Sequence, residues 1–384
     1  MSAFRVLHVT TFLQGGAGRA ICDLAIGQQA AGHAVAVVAT RTGAPGYLNY
    51  PEYLDRLQTA AVPLHLVDST FTRDVSANLA AVRAVRKRVV LDDLDVVHAH
   101  AGTPSLIGLL LASRARRRVA VLQTMHGWGA SKTAEQAARD LALLQELDAV
   151  VATSEASARW LRGHGIADSL LVTIPCGIAA TPPVGSAADR FPEIAAARAS
   201  GTAVVACIGS VTAQKNQSLL VEALPRILAR APRPVLCVLV GEGPLVPELQ
   251  ARAASLGVAQ QCRFLGYQPE AAVVLQLADL LVLPSRGEGQ GLAVLEAFRA
   301  GVPALVSDIP ALTEIVHHAD TGYVFAEDRP ESLARGVLKA LEARPQDRAR
   351  VAARARDAFL TRYTTEAMLA AHEALYRRLL GSVA

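Results

Sequence analysis

Short, continuously apolar runs recur along this chain, each followed by a glycine-containing turn and a helical pattern. In the first half they cover residues 5–9 (RVLHV), 34–39, 64–67, 95–99, 119–124 and 149–152. In the second half they cover 204–208, 235–240, 262–265, 280–283, 304–307 and 322–324. Runs that are apolar at successive positions, rather than at alternate ones, belong to strands covered on both faces. The intervening helical stretches supply the crossovers that parallel strands need. The chain is therefore expected to be α/β and doubly wound. An amphipathic helix is expected over 17–31, others opening near Asn216, Leu245, Glu270, Gly291, Pro310 and Glu331, and a packing helix over 364–380.

The rhythm is interrupted once. Residues 173–202 are rich in Pro, Gly and Ala and read as an interdomain connection with a surface excursion. The expected organisation is a first domain over 1–178, a second over 179–363, and a terminal segment over 364–384 that packs back across the junction. In such sheets ligands bind outside the carboxyl ends of the strands, so two facing edges would make one deep cleft.

Composition narrows the function classes. The 384 residues are 52% hydrophobic, enough for full cores, and the net charge of +4 is not that of a dedicated nucleic-acid binder. It suits a protein that handles anionic small molecules or touches anionic lipid heads. The five cysteines form no C-x-x-C pair, which points to a reduced, cytosolic compartment. The opening MSAFRVLHVTTF runs directly into a strand, so no signal peptide is expected. The longest apolar run, 106–112, is far short of the roughly 20 residues of a membrane span. The expected location is the cytoplasm, extending to the cytoplasmic face of the inner membrane through peripheral contact.

The stretch 280–304, LLVLPSRGEGQGLAVLEAFRAGVPA, carries the most chemistry. It reads as a strand, a glycine-rich loop bearing Glu288, and a helix opening near Gly291 and bearing Glu296. Gly289 and Gly291 allow backbone N–H groups to approach an anion, and the helix N-terminus that follows is electropositive. The loop suits phosphate and the two glutamates suit hydroxyls. A sugar and a ribose on either side of a diphosphate would need that arrangement.

Other strand ends add to it. TTFLQGGAGRA (10–20) places Gly15, Gly16 and Gly18 before a helix with Arg19 in its first turn, at a spacing that is not the dinucleotide fingerprint. His98 and His100 end the strand in DVVHAHAG, and His126 ends another in TMHGWG. They read either as satisfied structural histidines or as groups for hydrogen-bonding a hydroxyl or stabilising positive charge. No zinc site is expected, since no carboxylate or cysteine lies at ligand spacing. GSVTAQKN (209–216) puts Lys215 where it could neutralise a departing diphosphate. The turns at Gly241 and at Gly266–Tyr267 complete three glycine-containing strand ends, expected to line a slot for a flat base. Asp92, Asp93 and Asp95 resemble a metal-binding D-x-D but precede their strand, at the wrong end of the sheet. Two basic patches, Arg83–Arg86–Lys87–Arg88 and Arg114–Arg116–Arg117–Arg118, read as solvated helix faces or as docking patches for anionic lipid or a phosphorylated acceptor.

Taken together these motifs resemble the family 4 retaining glycosyltransferases of the GT-B fold. SRGEGQGLAVLEAFRAGVP matches that family's pair of glutamates separated by seven residues and followed by A-x-x-A-G-x-P. GGAGR, HAHAG, the HG at 126, the lysine of GSVTAQKN, VGEGP and FLGY fall in the family's order over nearly the whole chain. The resemblance implies two Rossmann-like domains facing across a cleft, with the second binding a nucleoside-diphosphate sugar and the first an acceptor. By that likeness Glu288 meets donor-sugar hydroxyls, Glu296 the ribose, and Lys215 the diphosphate. The backbone of Gly289, Gln290 and Gly291 faces the sugar and diphosphate, Leu292 belongs to the same donor-binding set, Gly15 and Gly16 close over the diphosphate, and His126 reaches the sugar. Glu288, His126 and Lys215 are the implied catalytic residues. Ser210, Gly241 and Gly266 join the donor set, and His100, Arg19 and Trp128 fall on the acceptor side. The implied reaction moves a hexose or N-acetylhexosamine, from a UDP-sugar by preference, without a metal or further cofactor, to a sugar, lipid-linked or small-molecule acceptor. Lipopolysaccharide, capsule or glycolipid biosynthesis would use such a step.

Two departures stand out. Ser210 occupies a position where many relatives carry arginine, leaving Arg19, Arg286 or backbone amides to compensate. Gln290 stands where relatives often place an aromatic residue. The acceptor pocket is expected from the loops over 41–53 and 127–133. The alternatives are a GT-B sugar-nucleotide epimerase, or a nucleotide-sugar binding protein with weak turnover.

Overall fold

The computed structural model describes residues 3–128, 132–183, 185–326 and 328–381, which form two compact units. The first comprises residues 1–177 together with 364–384, and the second residues 178–363. The chain thus passes from one unit to the other between Gly177 and Ile178, and its terminal helix, Thr365–Leu379, belongs to the first.

Seven parallel strands build the first unit: β1 (Arg5–Val9), β2 (Ala34–Thr40), β3 (Leu64–Val67), β4 (Val96–Ala99), β5 (Ala120–Met125), β6 (Ala149–Ala152) and β7 (Leu171–Thr173). Their order is β3-β2-β1-β4-β5-β6-β7. The reversal of direction lies between β1 and β4, where His8 and His98 are register partners. Both β1 and β4 are buried from Val6 and Val96 onward, which is why their sequences show no alternation. The helix Gly15–Ala30 begins at Gly15, two residues earlier than its apolar pattern predicts, so Arg19 sits in its second turn. Gly18 lets this helix start close to the preceding loop, since a Cβ there would lie 2.6 Å from the Leu13 carbonyl carbon. The sequence reading missed β7, because its three residues are only half-buried and lie at the sheet edge.

Six parallel strands build the second unit: β8 (Ala203–Ile208), β9 (Val235–Val240), β10 (Cys262–Phe264), β11 (Leu280–Leu283), β12 (Ala304–Ser307) and β13 (Tyr323–Phe325). Their order, β10-β9-β8-β11-β12-β13, reverses between β8 and β11. The period-2 geometry of a strand divides β8 between two cores. Val204, Ala206 and Ile208 pack on one side of the sheet, and Ala203, Val205 and Cys207 on the other. The segment read as a surface excursion carries the short helices Ala187–Arg190 and Pro192–Ala199, whose Ala187 and Ile194 join the first of those cores. A charged helix, Pro345–Arg362, also escaped the sequence reading, yet Val351, Ala355 and Phe359 are buried along it at four-residue spacing. All five cysteines are buried free thiols. Among the described residues no helix is long and apolar enough to cross a membrane.

Candidate active site

In the second unit the loops leaving β8 and β11 meet at the reversal of strand order, the place where open α/β sheets bind ligands. Lys215 comes from the first loop and Glu288 from the second. Nζ of Lys215 donates to both carboxylate oxygens of Glu288, at 2.7 Å each. The Ser285 hydroxyl adds a third bond to Oε1 of Glu288, also 2.7 Å. The Glu288 side chain is only 6% exposed and that of Lys215 25%, so the carboxylate is held in place while the ammonium keeps a face toward solvent. The backbone of the two loops is clasped as well. Arg286 N donates to Gln214 O at 2.8 Å, and Nε2 of Gln214 donates to Gly287 O at 2.9 Å. Asn216 adopts the left-handed conformation that asparagine tolerates, with φ of 54°, and its Nδ2 donates to Pro284 O and to Asp328 Oδ1.

Gly291 caps the helix Leu292–Ala300 with φ of 93°, and a Cβ there would lie 2.6 Å from Cδ2 of Leu312. Only glycine meets both conditions. Glu296 is buried one turn into that helix, and the Gln290 side chain is buried too. Gly209, Gly241 and Gly266, all at positive φ, close the turns after β8, β9 and β10. They lie against one another: Gly241 N donates to Gly266 O at 2.8 Å, and a Cβ on Gly241 would fall 2.1 Å from Gly209 O. The three turns thus form one backbone-lined surface. Ser210 is exposed, and its carbonyl accepts from Nε2 of Gln217.

Neither arginine named as a substitute for a charge at 210 is uncommitted. Arg286 Nε bonds Asp328 Oδ2 at 2.7 Å, and Arg19 lies 3.6 Å from Asp23.

The first unit brings its histidines together more closely than their spacing announces. His8 and His98, adjacent across β1 and β4, meet His100 just beyond the strand end. Nδ1 of His8 lies 3.0 Å from Nε2 of His100, and Nδ1 of His100 lies 3.0 Å from Nε2 of His126. The far nitrogen of His8 reaches Oε1 of Gln28 at 2.8 Å. His98 is bonded to the Tyr376 hydroxyl at 2.8 Å and to Thr124 at 2.7 Å, and Gln28 Nε2 donates to the same Tyr376 oxygen at 3.1 Å. His372 donates Nδ1–H to Met368 O, and its buried Nε2 has no hydrogen-bond partner. Nitrogens of His8, His98 and His100 come within 4.8 Å of one another, a juxtaposition that the search for ligand spacing in sequence did not find. Hydrogen bonds already engage both nitrogens of each of these three rings.

His100, expected on the acceptor side, has both its ring nitrogens engaged by other imidazoles. His126, at the end of this series of contacts, is partly buried. Trp128 packs on Trp160 with ring centroids 4.5 Å apart and carries Lys132 over its face at 3.7 Å, which gives it a packing role. Of the loop over 127–133, residues 129–131 lie outside the described residues; in the loop over 41–53, Pro51 already starts a helix. Asp92, Asp93 and Asp95 pair with Arg116, Arg5 and Arg117, so the D-x-D is an ion-pair cluster and the second basic patch is largely neutralised by its own carboxylates. His8, Gln28, His372 and Tyr376 went unnoticed in the sequence. The one signal was a histidine among the otherwise apolar residues 6–9 of β1.

Comparison with known proteins decides the family. The profile of the glycosyl transferases group 1 matches residues 190–358, and that of glycosyltransferase family 4 matches residues 14–181. A D-inositol 3-phosphate glycosyltransferase of Jonesia denitrificans is 30% identical over 305 residues, covering 73% of this chain and 71% of the relative. This chain is a family 4 glycosyltransferase. A glycogen synthase of Mycobacterium tuberculosis is 30% identical over 367 residues, covering 88% and 86%. The crystal structure of Anabaena HepE with UDP and glucose matches with a TM-score of 0.83 at 19% identity, covering 98% of this chain and 100% of HepE. The glycosyltransferase thus has the GT-B fold expected from its sequence.

Two outcomes follow from this geometry. Burial, the leading cause, holds His8, His126 and His372 down to about 4, and His98 and His100 well below the ordinary 6.5. In the unfolded chain each takes up a proton near 6.5, so between about 6.5 and about 4 the unfolded state binds more protons. Stability is full above that window and falls as pH is lowered through it, by about 1.4 kcal/mol per pH unit for each histidine fully shifted. Urea midpoints followed by near-UV circular dichroism should drop from pH 7 to pH 5, less steeply in His372→Phe; a flat profile would contradict the buried neutral cluster. Gly291→Ala should cost about 2 kcal/mol or more, combining left-handed strain with overlap on Leu312. Thermal unfolding of this variant and of Gly301→Ala, whose positive φ has no neighbour in its way, separates the two contributions.

Proposed function

We propose that this glycosyltransferase moves a hexose or N-acetylhexosamine from a nucleoside-diphosphate sugar to an acceptor hydroxyl, with retention at the anomeric carbon. The observation that carries the reading is the Lys215–Glu288 pair at the β8/β11 reversal, beside a glycine-capped helix start and three glycine strand ends. In this reading the donor divides the pair. The diphosphate takes Lys215 and the amides at the start of Leu292–Ala300, while Glu288 turns its acceptor oxygens to sugar hydroxyls. Glu296 takes the ribose, and the surface over Gly209, Gly241 and Gly266 takes the base. The UDP and glucose in HepE support uridine as the base. Leaving-group stabilisation is the main catalytic contribution here. The departing diphosphate accepts the acceptor's proton on the same face, which removes the need for a paired acid and base from the protein. His126 contributes a ring nitrogen to a substrate hydroxyl. The named relatives act in D-inositol 3-phosphate glycosylation and glycogen synthesis, which supports a hydroxyl-bearing sugar, polyol or glycolipid intermediate as acceptor. Lipopolysaccharide, capsule and glycolipid assembly all supply one.

The test is hydrolysis of UDP-, GDP- and ADP-sugars, then acceptor trials with the donor that is turned over. Lys215→Ala and Glu288→Ala should each lower turnover by about 100-fold or more while leaving the circular dichroism spectrum intact. Near-normal turnover in both variants would sink the site assignment. Anomeric configuration, read by NMR on the product, decides retention.

A further inference from the structure

The hydrogen bonds that end at His126 begin at a side-chain amide, and an amide has a direction. Oε1 of Gln28 can only accept, so His8 must bring its proton on Nε2 to the 2.8 Å contact. Neutral His8 then has a bare Nδ1, and the 3.0 Å contact to His100 must be donated by His100 Nε2–H. His100 in turn has a bare Nδ1, so the 3.0 Å contact to His126 is donated by His126 Nε2–H. The remaining nitrogen of His126, Nδ1, is left with a lone pair. The second arm runs consistently: Gln28 Nε2–H donates to Tyr376, Tyr376 O–H to His98 Nδ1, and His98 Nε2–H to Thr124. Burial keeps every ring in these arms neutral, which is the condition for one proton per imidazole.

We infer that Gln28, His8 and His100 are positioning residues that set the tautomer of His126, so that it presents an Nδ1 lone pair to a substrate hydroxyl. The ligand group at this point is a hydroxyl that donates its hydrogen, not a carbonyl or phosphate oxygen that must receive one. Turning the Gln28 amide through half a turn would reverse every bond in both arms and convert His126 into a donor. Tyr376, Thr124 and all the imidazoles would have to reverse together, so the network has two states and the direction of the Gln28 amide selects between them. The polarity of the site is thus stored in the core, more than one ring away from the group that uses it. This inference rests on the reading that His126 meets substrate, but its first readout does not.

The experiment is nitrogen-15 NMR on protein labelled at histidine, with the His126 ring assigned by loss of its signals in His126→Gln. In the wild type, His126 should show a pyrrole-type Nε2 and a pyridine-type Nδ1. In Gln28→Met, which keeps length and removes direction, and in Tyr376→Phe, which frees the amide and leaves the His8 arm intact, both His126 signals should move toward intermediate values. A wild-type His126 protonated on Nδ1, or unchanged signals in either folded variant, would overturn the inference. If neither variant folds, the wild-type spectrum alone decides. With donor and acceptor present, kcat/KM of Gln28→Met should fall about twofold, as expected when half the molecules hold the wrong tautomer. Full activity in His126→Gln would instead remove the substrate contact and leave the tautomer result standing.

Discussion

A polar group taken out of water must find a partner, and this constraint shapes both units of the enzyme. Leaving a buried donor or acceptor unpaired costs about 1–3 kcal/mol, more for a charge. The first unit places imidazoles, an amide and a phenol in the middle of a doubly covered sheet and pairs nearly all of them with one another. The second unit buries a carboxylate at a loop and holds it with an ammonium and a hydroxyl. In each case the pairing is made by residues from different strands, helices or loops. The polar cluster therefore exists only when the sheet order is correct, and the sheet positions the chemistry through it.

The strand order explains where these clusters fall. Crossovers from a central strand go to one side and then to the other, so two neighbouring strands send their following loops in opposite directions. In the second unit this reversal is where Lys215 and Glu288 come together. In the first it brings β1 and β4 side by side, with His8 and His98 in register and His100 one step further. Glycine at the strand ends serves the same end: Gly209, Gly241 and Gly266 let three backbone turns stack at distances that a Cβ would forbid.

Much of this was legible in the sequence, and the parts that were not share a physical reason. Strands buried on both faces announce themselves as uninterrupted apolar runs, and 235–240 and 280–283 coincide with β9 and β11 to the residue. The glutamate-bearing loop could be read because its residues are contiguous and its glycines have few other uses. The ion pair between positions 215 and 288 could not, because it depends on β8 and β11 being neighbours although two strands separate them along the chain. The histidine network was less visible still. Its members lie at 8, 28, 98, 100, 126 and 376, and Gln28 and Tyr376 look like ordinary helix residues until the terminal helix is placed in the first unit. Short edge strands such as β7, and highly charged helices such as Pro345–Arg362, were missed because half-burial leaves only a faint pattern.

The two polar clusters respond differently to a ligand, and the difference follows from what each has at its surface. The Lys215–Glu288 pair is complete without substrate. An anion that claims the ammonium must compensate the carboxylate it leaves behind, since breaking a buried pair from one side costs about 3–5 kcal/mol. A bare phosphate offers Glu288 no array of hydroxyl donors, and a sugar lacking the anion offers Lys215 hydroxyl oxygens but no compensating charge. Only a molecule carrying both, with hydroxyls for the carboxylate and charge for the lysine, replaces the whole of what it disrupts. The Ser285 hydroxyl also bonds Oε1 of Glu288, so the carboxylate keeps one partner if the ammonium is drawn away. Under the proposed donor reading the pair would serve specificity more than tight binding, raising the cost of every partial ligand and leaving the affinity for the complete one largely to the backbone donors around it.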